Sequence, residues 1–406
     1  MTDRILRNDI VILGGGIAGL WLLNRLRDAG HDAVLLEKDE LGGGQTLASQ
    51  GIIHGGLKYA LNGVLTPAAS AIAAMPARWK ACLEGRGDID LRSCEVLSSH
   101  YWMWSGGDIR SRFKTFLGSR ALHGRIDYLK PEEHPDILRA STVSGSVYRL
   151  SDFVVDTPSL LETLTHPQQD HIGRAGDIRL HSHDGQRVES VTATGSHGQP
   201  VTLYARYYIL AAGAGNAELL QQIGMDQPAM QQRPLHMVTV RCDRPAWLHV
   251  IGSDFGMTPR LTITAHPAPN GQWTWYLGGE LAERGVARDS AAQIEAARCE
   301  LRELFPAVKV DEDSWFSFKA DRAEPASPDQ RRPDDAFVHV NGNVVTTWPT
   351  KLTLTPNLGD AVLSRVTPGV PRSAAERASE QDHAGHTLSE YFETPRIARP
   401  PWESSP

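Results

Sequence analysis

The 406-residue sequence has little cysteine, no excess of positive charge and no long apolar run. Its four cysteines, Cys82, Cys94, Cys242 and Cys299, lie too far apart for a CxxC pair or a zinc-finger set. They read as isolated thiols of a reducing compartment. Forty-one Lys and Arg against 48 Asp and Glu leave a formal charge of −7, without the basic footprint of a dedicated nucleic-acid binder. Nothing approaches the roughly 18 consecutive apolar residues of a transmembrane segment, and the stretch from Met1 to Asn8 lacks the apolar core of a secretory signal. GxSxG and Walker loops are missing, as are internal repeats. His181 and His183 share a strand face, but no further ligand joins them, and no metal site is expected. With 41% apolar and 22% charged residues the composition is still that of a folded chain, long enough for two domains. A cytoplasmic protein is expected.

What is present starts at the N-terminus. Asp9 to Leu13 reads as a parallel strand buried on both faces, and Gly14-Gly15-Gly16-Ile17-Ala18-Gly19 follows at once. Helical spacing then runs from Leu20 to Ala29, and a second strand from Asp32 to Leu36 stops at Glu37. Further along, a hairpin is expected over Arg187 to Gly195 and Pro200 to Ala205, and a separate apolar strand from Tyr207 to Gly213. A helix follows from Asn216 to Ile223. Alternating Thr, Val, Trp and Tyr from Pro234 to Gly279 predict antiparallel sheet, which also accounts for Trp273 and Trp275. An amphipathic helix over Ser290 to Phe305, a hairpin from Ala336 to Trp348 and a helix over Asn357 to Val366 complete the pattern.

These pieces predict an α/β fold. A discontinuous Rossmann-type domain (1–80, 145–230, 335–366) carries an inserted α+β substrate domain (81–144, 231–334) built on a largely antiparallel sheet. Residues 367–406, rich in Pro, Ser and charge, are expected as a tail, partly disordered or docked through Tyr391, Phe392 and Trp402.

Gly14, Gly16 and Gly19 satisfy GxGxxG in the strand–turn–helix context that a dinucleotide requires. The first glycine permits the turn, the second lets a pyrophosphate approach the backbone, and the third lets helix pack on strand. Glu37, about 20 residues on, stands where an acid binds ribose hydroxyls. The next segment, from Gly42 to Tyr59, is rich in small and hydroxyl residues, among them Thr46, Ala48, Ser49, Gln50 and Gly51. Such a segment can pass close to a second phosphate and a flat ring, which a simple NAD domain does not need.

At this point the chain resembles the FAD-dependent oxidoreductases of the D-amino-acid oxidase superfamily, whose FAD domain is glutathione-reductase-like. Four blocks in matching order carry the likeness: the N-terminal glycines, Ile209 to Gly215, Asp321 to Asp329, and Thr347 to Thr353. The loop His54-Gly55-Gly56-Leu57-Lys58-Tyr59 is most similar to FAD-linked glycerol-3-phosphate dehydrogenases and L-2-hydroxyglutarate oxidases. The resemblance implies non-covalent FAD contacted by Gly14, Gly16, Ile17, Ala18, Gly19, Glu37, Lys38, Thr46, Ala48, Ser49, Gln50, Gly51, Ala212, Gly213, Thr350, Leu352 and Thr353. In the last block Pro349-Thr350-Lys351 replaces a usually glycine-rich loop.

The chemistry then needs a proton acceptor, a cation near the reduced ring and an anchor for the substrate. His54 is the candidate base, Lys351 the candidate cation and Arg322 the candidate clamp for a carboxylate or phosphate. Lys58, Tyr59, His236, Arg260 and Tyr276 are candidate substrate contacts. The expected function is oxidation of a CH–OH bond in a small anionic 2-hydroxy acid or polyol phosphate, with oxygen, a quinone or a carrier as electron acceptor. An amine or amino-acid oxidase, and a non-catalytic flavin-binding partner or sensor, stay open as alternatives.

Overall fold

The computed structural model describes residues 4–56, 67–105, 126–139, 145–183, 185–252, 258–327, 333–366 and 387–404. The strand Ile5–Leu13 lies at the centre of an eight-stranded sheet, in parallel between Ala33–Glu37 and Pro200–Leu210. Ile10, Val11 and Ile12 are wholly buried, as the uninterrupted apolar run requires when both faces are covered. Ile172–Arg174 extends the sheet in parallel beyond Ala33–Glu37.

Sequence patterning breaks the chain between Ala205 and Tyr207, but Pro200–Leu210 is one strand. From Thr202 onward it pairs with Ile5–Leu13, Ile5 opposite Thr202 and Leu13 opposite Leu210, and that keeps it extended. Its other edge is shared: the first half takes Ser190–Thr194 antiparallel and the second half takes Val344–Trp348 parallel. Gly213–Gly215 is a short 3-10 turn rather than a strand end. The Ile17–Asp28 helix packs between this sheet and the helices Thr157–Thr165 and Thr355–Leu363, with Trp21 fully buried 5.0 Å from Trp79.

A second eight-stranded sheet runs in the order Phe316–Pro325, Met230–Cys242, Trp273–Gly278, Leu261–Pro267, Leu248–Ile251, Tyr101–Ser105, Ser146–Leu150, Ile126–Leu129. Every contact in it is antiparallel except that between Leu248–Ile251 and Tyr101–Ser105. Strand alternation divides its side chains between two faces. Val238, Val240, Ile263, Trp275 and Leu277 face the Ser290–Leu304 helix through Ala297, Leu301 and Leu304. Asp289 starts that helix by accepting from Ala292 N at 2.8 Å. The opposite face, bearing Met237, Tyr276 and Phe318, meets the first domain. A three-stranded sheet, Ile52–Ile53, Phe153–Val155 and Val96–Ser98, lies between. The fold is thus a discontinuous Rossmann-like domain with an inserted antiparallel sheet. No helix among the described residues is long and apolar enough to cross a membrane.

Residues 387–404 pack against both sheets. Phe392 is buried against Gly173, Leu41 N donates to Arg396 O at 2.8 Å, and Ala398 N donates to Leu41 O at 3.0 Å. Trp402 then stacks on His266, ring centres 3.8 Å apart and 16° from parallel. His266 is buried with Nδ1 3.8 Å from Asp156 Oδ1, and burial holds its imidazole below the usual histidine range. The unfolded chain therefore takes up this proton first, so stability falls as pH drops below about 6.5. Melting temperature measured from pH 7 to pH 5 should fall more steeply in the native protein than in His266→Gln. His100 and His171 shift the same way, so the slope should lessen without vanishing. Equal slopes would refute the assignment to His266.

Candidate functional site

Gly14 leaves the first strand at φ +114°, and a Cβ there would stand 2.6 Å from Ala212 Cα. At Gly19 a Cβ would stand 1.9 Å from Gly14 O. These two glycines are demanded by the packing of the chain on itself. Gly16 differs: it is extended, at φ −80° and ψ −174°, and a Cβ would meet only Thr46 Oγ1, at 3.2 Å. Thr46 Oγ1 accepts from Ile17 N at 3.0 Å, and Ile17 and Ala18 are buried. Having no side chain, the N-cap Gly16 leaves the positive end of the helix dipole directed at whatever occupies the turn. Glu37 is fixed beside it, Oε2 accepting from Gly15 N at 2.5 Å and Oε1 from Asp39 N at 2.9 Å. Lys38 is exposed.

The segment after Thr46 is fastened to the second sheet. Ala48 O accepts from Tyr276 Oη at 2.6 Å. Gln50 Nε2 donates to Tyr276 O at 2.8 Å, and Gln50 Oε1 accepts from Thr262 Oγ1 at 2.8 Å. Burial pushes the Tyr276 phenol well above its ordinary pKa, so it remains a donor. Gly51, at φ +68°, lies so close to Val155 O that a Cβ would stand 2.2 Å away. Ser49 Oγ is buried and has no hydrogen-bond partner among the described residues.

The middle and final segments close on the same region. Ala212 N donates to Asn216 Oδ1 at 2.9 Å, Asn216 Nδ2 to Thr347 O at 3.1 Å, and Trp348 Nε1 to Gly213 O at 3.0 Å. Thr350 adopts φ +61°, the conformation a glycine would take, although it is β-branched. The loop thus keeps a glycine-like backbone without the glycine. Thr350→Gly should raise unfolding free energy by roughly 0.5–1 kcal/mol in denaturant titration, since relief of strain exceeds the entropic cost of glycine. A destabilised variant would contradict this. Lys351 is buried, and Leu352 is half-buried in the Leu352–Leu354 turn that follows. Thr353 Oγ1 donates to His54 O at 3.1 Å. The histidine segment and the late lysine turn therefore meet, although 299 residues separate them.

Arg322 lies on the same sheet face as Phe318 and Tyr276, directly opposite Arg233. Its Nε donates to Arg233 O at 3.3 Å and its Nη2 lies 3.6 Å from Glu283 Oε1. Burial, then the neighbouring Arg233 charge, lowers its pKa. Gln45 Nε2 donates to Asp321 O at 2.9 Å, which ties this strand to the segment before Thr46.

Two expected contacts lie elsewhere. His236 alternates onto the helix face, where Nδ1 meets Gly285 O at 3.0 Å and Nε2 meets Ser317 Oγ at 3.1 Å. Arg260 turns to the Ser290–Leu304 helix, 2.8 Å from Glu300 and 2.8 Å from Glu303. Alternation tells which residues share a face but not which face meets the first domain. Lys58 and Tyr59 lie outside the described residues. Thr262 and Asp152 carry no mark in the sequence, because each acts through a partner distant in the chain and belongs to no local motif.

A glycine cradle at a helix N-terminus, joined to an antiparallel sheet over one shared region, is the geometry of a nucleotide-cofactor site. The family model for FAD dependent oxidoreductases (DAO) matches residues 9–349. A probable FAD-dependent oxidoreductase of Pseudomonas aeruginosa, PA4991, is 43% identical over 98% of this chain and 97% of its own. Its crystal structure superposes with a TM-score of 0.80, at 38% identity, over 99% of each chain. Glycine oxidase from Geobacillus kaustophilus shares the fold, with a TM-score of 0.64 and 16% identity over 97% of this chain and 100% of that one. One subunit of the anaerobic glycerol-3-phosphate dehydrogenase of Haemophilus influenzae is 26% identical over 59% of this chain and 44% of its own. Further solved structures sharing the fold include L-proline dehydrogenase from P. horikoshii and L-α-glycerophosphate oxidase from Mycoplasma pneumoniae, each with a TM-score of 0.64 and at 14% and 13% identity. The chain belongs to the FAD-dependent oxidoreductase family. It is an enzyme of that class, holding FAD non-covalently, with a small-molecule substrate and an electron acceptor. The narrower likeness to glycerol-3-phosphate dehydrogenases and L-2-hydroxyglutarate oxidases is not upheld over other members. The residues fit the cofactor: the cradle is open at Gly16, the helix dipole faces it, and the buried Ser49 hydroxyl has a bond to give.

Proposed function

We propose that the chain oxidises a CH–NH bond in a small amine bearing a carboxylate. The observation that carries this reading is the meeting of the His54 segment with the Lys351 turn, through Thr353, beside the sheet that presents Tyr276 and Arg322. Bound FAD supplies the acceptor for the hydride that leaves carbon. His54 takes the proton from nitrogen, leaving an imine. Arg322 holds the carboxylate with its planar fork, which a lysine does less well. Lys351 would supply positive charge from its buried turn to stabilise the cofactor in its reduced, more negative state. Preference for nitrogen over oxygen draws on the names carried by neighbours of the same fold, glycine oxidase among them.

A second reading, oxidation of CH–OH in a 2-hydroxy acid or polyol phosphate, draws on the glycerol-3-phosphate dehydrogenase relative. Anaerobic titration of the purified holoenzyme separates the two. Glycine, L-proline and iminodiacetate should bleach the visible cofactor band, whereas lactate, 2-hydroxyglutarate and glycerol 3-phosphate should not. Bleaching by the second group alone would replace the amine reading.

A further inference from the structure

The peptide unit joining His54 to Gly55 is held at both of its polar ends. Its carbonyl, on His54, accepts from Thr353 Oγ1 at 3.1 Å, and its N–H, on Gly55, donates to Asp152 Oδ1 at 2.9 Å. Thr353 is fully buried, Asp152 is 5% exposed, and a Cβ on Gly55 would touch Pro76 at 3.4 Å. Because the peptide group is planar, fixing its C=O and its N–H together fixes the plane and the His54 Cα within it, and with Ile53 held in its strand opposite Phe153 the direction in which the His54 side chain leaves the backbone follows. Thr353 is itself anchored: its carbonyl accepts from Trp79 Nε1 at 3.0 Å. The turn that carries it begins at Lys351, whose carbonyl accepts from Leu354 N at 3.0 Å. One hydroxyl thus ties the lysine turn to the histidine segment.

We infer that Thr353 and Asp152 are positioning residues that orient His54 through its own peptide bond. The inference rests on the reading of His54 as the proton acceptor, and the test keeps the two apart. A loop staple of merely structural value would lower stability and leave catalysis intact. A positioning role lowers kcat without changing KM or cofactor content.

The experiment compares Thr353→Val, Thr353→Ser, Asp152→Asn and His54→Gln as holoenzymes, using whichever of glycine, L-proline or iminodiacetate bleaches the band fastest. Histidine-selective NMR supplies a readout independent of turnover, the His54 signal being the one missing in His54→Gln. Thr353→Val should lose about tenfold in kcat, with KM and cofactor absorbance within about twofold of native. Its His54 signal should shift or double, and Thr353→Ser should restore both properties. Native kcat and an unmoved signal in Thr353→Val would overturn the inference. Should that variant not fold, Asp152→Asn carries the test. It keeps the shape while weakening the acceptor for Gly55 N–H, so a roughly three- to tenfold loss with the same signal change is expected, and no change overturns the inference. If His54→Gln keeps native kcat, the base reading fails. The NMR signal then decides orientation alone: moved in Thr353→Val, it sustains the clamp, and unmoved, it refutes it.

Discussion

Purified Gly16→Val protein should be folded but colourless. Residue 16 has an extended backbone that any amino acid adopts, and the first added carbon would meet only the Thr46 hydroxyl, at 3.2 Å. A shift of a few tenths of an ångström relieves that contact, so circular dichroism and melting of the apoprotein should stay close to native. A pyrophosphate held by this turn would have no such freedom, because the motif brings it against the backbone at this position. Gly19→Ala supplies the contrast. Its Cβ would sit 1.9 Å from a backbone oxygen, so the turn cannot close and insoluble or loosened protein is expected. Full cofactor occupancy in Gly16→Val would remove the pyrophosphate from this turn. Equal stability of the two variants would refute the distinction between the glycines.

Lys351→Met is expected to reduce kcat by roughly 10²–10³ while the protein keeps its visible spectrum. Lys351 is 5% exposed, in a turn whose neighbour Thr350 holds a strained backbone and whose neighbour Thr353 reaches His54. A cation so placed acts in a region shielded from water, where charge interactions are stronger than at the surface. Methionine has a similar length and no charge, so the substitution removes the cation and keeps most of the volume. Removing one partner of a buried charged contact lowers stability, so turnover is read on folded, coloured enzyme, where KM should move by much less than kcat. Lys351→Arg should recover part of the rate. Native turnover in Lys351→Met would assign the lysine to structure.

The parts legible in the sequence are those in which one short stretch contains its own constraints. The strand, Gly14, Gly16, Gly19, the helix and Glu37 fall within about 30 residues, and their spacing is readable as a unit, although Gly14 also answers to Ala211 and Ala212 of a distant segment. The late helix, capped by Asp289 and buried along Ala297, Leu301 and Leu304, is equally readable from its periodicity. The long strand Pro200–Leu210 is not. What holds it extended is a partner nearly 200 residues earlier in the chain, from Ile5 to Leu13. The same limit explains Tyr276, His236 and Arg260: alternation separates two faces but is silent about which face the other domain covers. Asp152 carries no signal, since its role exists only once Gly55 lies against it, 97 residues away in the chain.

The amino-acid order alone thus determined a dinucleotide cradle, a discontinuous α/β domain and an inserted antiparallel sheet, because strand and helix periodicity and glycine geometry are local properties. Only the tertiary structure decided that His54, Asp152, Thr353 and Lys351 converge, and that Tyr276 faces the Ala48 segment while His236 and Arg260 turn away. Those outcomes depend on how separate sheets dock and in what register, and docking is governed by burial summed over whole faces rather than by any one stretch of chain.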